Sequence, residues 1–64
     1  MSIEDYIGKS FYHKEMLGDN KYKIDSVNNS IVKVTWDLNN RIDFTYYPLE
    51  MVVIYIKEKT WIII

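Results

Sequence analysis

The chain has 64 residues, no cysteine, and eight basic against nine acidic side chains for a net charge of −1. That excludes a disulfide framework and a cysteine-bearing zinc site, and it removes the basic excess with which a protein grips duplex phosphates or the acidic excess of a DNA mimic. A single domain of this size buries only about 60% of its unfolded surface, so its two Trp, two Phe and six Tyr must carry the core.

The N-terminal Ser2 to Ile7 reads as one helical turn, with Ser2 as N-cap and Glu4 and Asp5 suited to the positive end of the helix, closed by Gly8. It lacks the basic start and long apolar run of a secretory signal, and the longest apolar run, Met51 to Ile56, is too short to span a bilayer. We therefore expect a cytoplasmic protein. Lys9 to His13 reads as a short first strand. The polar stretch from Lys14 to Asn20 carries turn chemistry in Gly18-Asp19-Asn20, and we expect Met16 and Leu17 to fold back over one end of the core.

From Tyr22 to Tyr47 apolar residues recur at every second position, as Tyr-x-Ile, Val-x-Val-x-Trp and Ile-x-Phe-x-Tyr. Asn28-Asn29 and Asn39-Asn40 stand at the joins. This is the pattern of a three-stranded meander, because asparagine tolerates the left-handed backbone of tight hairpins. The second strand, Lys21 to Val27, loses phase at its end, and a β-bulge near Ser26 would return Val27 to the core. The third, Ile31 to Trp36, buries Val32, Val34 and Trp36. The alternation of the fourth, Arg41 to Tyr47, places Ile42, Phe44 and Tyr46 inward, leaving Arg41, Asp43, Thr45 and Tyr47 outward.

Pro48 ends that strand and suits a helix start. Leu49, Val52, Val53 and Ile56 fall on one helical face, so we read a helix from Pro48 to about Lys57, leaving Glu50, Tyr55, Lys57 and Glu58 off the buried stripe. The β-branched run Val52-Val53-Ile54 keeps a strand as the alternative. Thr60 to Ile64 is the last strand, and four large apolar residues there call for pairing that closes a barrel. The fold class expected is mainly β: a single domain, residues 1–64, forming a small barrel of about five strands with a short helix before the last.

The run Tyr22-Lys23-Ile24, then Ile31-Val32-Lys33-Val34-Thr35-Trp36-Asp37, then Tyr46-Tyr47-Pro48-Leu49-Glu50-Met51-Val52 leading to a last strand, resembles SH3-like barrels of the Tudor-like branch over Gly8 to Ile64. The usual glycine after the acidic turn is replaced by Leu38-Asn39-Asn40. The resemblance implies an open aromatic cage for a methylated side chain, for which Phe11 or Tyr12, Trp36, Tyr46 and Tyr47 are the matching positions.

No catalytic set emerges. Gly8-Lys9-Ser10 ends like a phosphate-binding loop, but Ile3 stands where the first glycine belongs. Ser10 and the only histidine, His13, lack an orienting group and an oxyanion hole, and one imidazole among scattered carboxylates falls short of a metal site. Asn28-Asn29-Ser30 matches a glycosylation sequon and is read as a turn. We expect no enzyme activity and no cofactor. The outward aromatic and basic residues Tyr12, His13, Arg41 and Tyr47 are the expected contact patch of a protein-interaction module. The alternative is a single-strand nucleic-acid binder that stacks bases on tyrosines, with Lys9, Lys14, Lys33 and Arg41 on phosphates. Heavy use of Ile, Lys, Asn and Tyr with a single Arg is the composition of an AT-rich genome, which fits a phage-type protein acting on a host partner.

Overall fold

The structure is a computed structural model that describes residues 3–14 and 21–64. After a 3-10 turn at Ile3–Tyr6 come β1 (Ser10–His13), β2 (Tyr22–Asn28), β3 (Ile31–Leu38), β4 (Arg41–Pro48), the helix α1 (Leu49–Lys57) and β5 (Trp61–Ile63). The five strands form one antiparallel sheet in the order β4-β3-β2-β1-β5. The fold is mainly β with one helix before the last strand, as the alternation and the Pro48 break predict. The roles expected of Ser2, Met16 and Leu17 lie outside the described residues.

Two tight turns hold the meander. Asn39 and Asn40 have φ of 51° and 64°, and Asn29 and Ser30 have 50° and 64°. Two successive left-handed residues match the right-handed twist of the flanking strands. The first hairpin therefore turns at Asn29-Ser30, one residue later than the expected Asn28-Asn29, because Asn28 pairs with Ile31 as the last rung of the ladder. The bulge lies where the lost phase placed it. Ile24 faces Val34 and Ser26 faces Lys33, so Asp25 is the extra residue and Val27 returns to the inner face opposite Val32.

The fourth strand has the opposite phase from the one expected. The two-residue turn makes Leu38 and Arg41 partners, and from that rung Trp36 faces Asp43, Val34 faces Thr45 and Val32 faces Tyr47. Directly opposed residues share a face of the sheet. Asp43, Thr45 and Tyr47 thus join Val32, Val34 and Trp36 on the inner face, while Ile42, Phe44 and Tyr46 are exposed on the outer one. Turn geometry overrides the apolar alternation here.

α1 follows at once, with Pro48 as N-cap and Lys59, at φ 62°, in the left-handed position that ends it. Its stripe is the predicted one. Val52 and Ile56 are buried, Leu49 and Val53 half-buried. Tyr55, expected off the stripe, is half-buried against Trp61 and Tyr47. The core consists of Phe11, Ile24, Val32, Val34, Val52, Ile56 and Trp61. The sheet does not close into a barrel: β5 pairs with β1, through Phe11 to Ile63, Tyr12 to Ile62 and His13 to Trp61, and not with β4. The helix leads from β4 to β5 and packs its apolar stripe into the core, so a helical layer covers the apolar face that closure would have covered.

Candidate functional site

An aromatic row crosses the inner face. Phe11 on β1, Tyr22 on β2 and Trp36 on β3 are direct cross-strand partners, and Asp43 on β4 completes the row. Phe11 and Tyr22 stack with centroids 5.6 Å apart, and Tyr22 meets Trp36 edge-on at 5.3 Å. Behind the row Trp61 stacks on Phe11 at 4.1 Å, and Tyr47 meets Trp61 edge-on at 5.2 Å. These five rings, with His13, Val34 and Thr45, line a half-open cavity of about 300 Å³. Two buried ring nitrogens on residues that line it, Trp61 Nε1 and His13 Nδ1, have no hydrogen-bond partner. The Tyr47 hydroxyl is held above its ordinary pKa of 10.0, mainly because burial disfavours the phenolate and further because the Tyr22 and Tyr55 phenols lie close.

The second distinctive surface is the outer face of β4. Ile42, Phe44 and Tyr46 are 72%, 55% and 56% exposed. Phe44 and Tyr46 touch edge to face at 5.6 Å, and Lys33 Nζ lies 5.0 Å from the centre of the Phe44 ring. The same three residues carry the free backbone groups of the edge. Leu49 N–H donates to Ser30 O at 2.8 Å, and antiparallel rungs alternate between bonded and non-bonded pairs. Val32/Tyr47, Val34/Thr45, Trp36/Asp43 and Leu38/Arg41 are then the bonded rungs. The N–H and C=O of Ile42, Phe44 and Tyr46 point away from β3.

The expected contact patch divides, with His13 and Tyr47 brought together and Tyr12 and Arg41 apart from them. Tyr12 lies on the outer face of β1 opposite Ile62, and exposed Arg41 starts β4 beside the Asn39-Asn40 turn. His13 and Tyr47 line the inner cavity, so Tyr47 is not the outward residue that the alternation predicted. Of the cage positions, Phe11, Trp36 and Tyr47 converge in the cavity. Tyr12 and Tyr46 lie on the opposite face. Tyr22 and Trp61 complete the ring set, and their in-phase position on strands flanking Phe11 was the sequence signal for them. Of the basic residues, Lys9 lies over Tyr6 at 5.9 Å, Arg41 starts β4 beside the Asn39-Asn40 turn, and Lys33, resting on Phe44, lines a surface groove with Lys21, Lys23, Asp25 and Asp37. No helix among the described residues is long and apolar enough to cross a membrane. No protein-family model, curated protein or solved structure matches the chain.

Proposed function

We propose that this chain is a non-enzymatic, cytoplasmic protein-interaction module that meets its partner along the outer face and free edge of β4. One observation carries the reading: an eight-residue edge strand exposes Ile42, Phe44 and Tyr46 in a row without a bulge or a lysine, guarded only by the inward Asp43 and the terminal Pro48. Soluble proteins guard such edges with bulges, lysines, prolines and inward charges, and a long apolar edge so lightly guarded is a template for another chain. The AT-rich composition supports a phage-type setting with a host protein as partner, and the element order supports an SH3-like ancestry. The test is affinity capture from lysate of a low-GC bacterial host with the parent chain and with Phe44→Lys. The parent should retain a specific protein that Phe44→Lys loses while its far-UV spectrum and melting temperature stay unchanged. Equal retention by both would overturn the assignment.

The five-ring cavity favours a second reading, recognition of a methylated ammonium group. Aromatic faces attract such cations, and Asp43 ends the row beside Trp36. Titration with a trimethyl-lysine peptide, followed by the indole resonances of Trp36 and Trp61, should shift both signals. Unmoved resonances at millimolar peptide would remove this reading.

A further inference from the structure

We infer that β4 pairs with β4 of a second copy of this chain, antiparallel, about a two-fold axis through Phe44. The inference rests on the reading of β4 as the contact strand: a second copy takes its free edge, and a host partner then meets the outer face of the pair. Outward N–H and C=O groups belong to residues 42, 44 and 46, so a partner strand must present the same spacing of free groups. β4 itself does so in one register. With Phe44 opposite Phe44, Ile42 meets Tyr46 of the other copy and Tyr46 meets Ile42, and each rung exchanges both N–H···O bonds. A shift of two residues in one direction sets the outward position of Pro48, which has no N–H, opposite Ile42. The same shift in the other direction sets Tyr46 opposite the turn residue Asn40 and brings the two Asp43 carboxylates directly opposite each other.

Side chains agree with the backbone. On the outer face the register aligns Ile42 with Tyr46 and Phe44 with Phe44, an unbroken apolar row without a charged member. Aromatic and aliphatic pairs of this kind stabilise adjacent strands. On the inner face Asp43 lies opposite Thr45 and Arg41 opposite Tyr47, so no like charges meet directly. The closest are the two Asp43 carboxylates on the diagonal, whose Cα atoms are roughly 7–8 Å apart. A net charge of −1 per chain adds little further repulsion. The opposite edge offers no comparable template, since β5 has three residues.

The absence of cysteine makes the register directly readable. Phe44→Cys places two thiols on one bonded rung, about 5.5 Å apart at Cα, within the roughly 4.4–6.8 Å that a disulfide spans. Ile42→Cys and Tyr46→Cys place like thiols about 13 Å apart along the strand. In mild oxidant Phe44→Cys should cross-link at least tenfold faster than an Ile62→Cys control on the exposed face of β5. Ile42→Cys and Tyr46→Cys should cross-link only when mixed with each other. Sedimentation of the parent chain should give twice the 7.7 kDa monomer mass, and Phe44→Lys should return it to 7.7 kDa with unchanged circular dichroism. A monomeric parent at all concentrations overturns the pairing, as does a dimer that Phe44→Lys leaves intact. If the parent is monomeric yet Phe44→Lys still abolishes partner capture, self-pairing fails and the interaction reading stands. If Phe44→Lys changes neither, both fail.

Discussion

Replacing Trp61 tests the account of the core most directly. Its side chain is 1% exposed and touches three rings: Phe11 at 4.1 Å, Tyr47 at 5.2 Å and Tyr55 at 5.3 Å. Truncation of a buried Trp to Ala typically costs about 3–5 kcal/mol, and each lost aromatic pair accounts for roughly 0.5–1.5 kcal/mol beyond the area term. A domain of this length has a total stability of roughly 3–10 kcal/mol. Trp61→Ala should therefore abolish the cooperative transition or shift it to very low urea. Trp61→Phe is the informative partner. It gives up part of the ring, but it also removes the Nε1–H donor that is buried without an acceptor, an arrangement that costs about 1–3 kcal/mol. Loss and relief oppose each other, so Trp61→Phe should lie within about 1 kcal/mol of the parent. Urea titrations followed by far-UV circular dichroism and by Trp36 fluorescence give both values. Equal destabilisation by Phe and Ala would refute the unpaired donor, and an Ala variant that loses less than about 1 kcal/mol would refute the central place of Trp61.

Two further outcomes follow from the strand geometry and the cavity. Ser30 holds φ of 64° at the second position of its turn, where a non-glycine side chain costs roughly 1–2 kcal/mol. Ser30→Gly removes that cost and adds about 0.5–1 kcal/mol of chain entropy to the unfolded state, so thermal unfolding should show a net gain of about 0.5–1 kcal/mol. An unchanged or lower melting temperature would contradict the turn assignment. The raised Tyr47 pKa sets an alkaline limit. The unfolded chain gives up this phenolic proton as pH passes about 10 while the folded chain still holds it, so the stabilisation is complete below pH 10 and is lost as pH rises through the folded value. Melting temperatures from pH 8 to pH 11 should fall at the alkaline end, and less steeply for Tyr47→Phe. Identical slopes would place Tyr47 outside the buried cluster.

The meander, the bulge that restores Val27 and the helix after Pro48 were legible because each depends on local chemistry: left-handed asparagines, a slipped alternation, a residue without an N–H. The phase of β4 was legible too, though not from β4 alone. An Asn39-Asn40 turn makes Leu38 and Arg41 partners, and once Val32, Val34 and Trp36 face inward the odd residues of β4 must follow them. Reading Ile42, Phe44 and Tyr46 by hydrophobicity alone sent them inward and misplaced Tyr47 with them. The open sheet was not legible. Whether β5 joins β1 alone or also reaches β4 depends on where the helix packs, and no local pattern encodes that. The same holds for the cavity, whose rings come from five separate strands.

The stack of Phe11 on Trp61 also has a kinetic side. The two hairpins of the meander close over two-residue turns, whereas β1 and β5 join residues from opposite ends of the chain. Closing so long a loop is entropically slower than closing a hairpin, so the meander can form before the rings behind it meet. In that order, Trp61 acts as a latch set after the transition state. Substitutions there would leave the folding rate nearly unchanged and act by hastening unfolding, so the lifetime of the folded molecule depends on its last strand more than the speed of its assembly does.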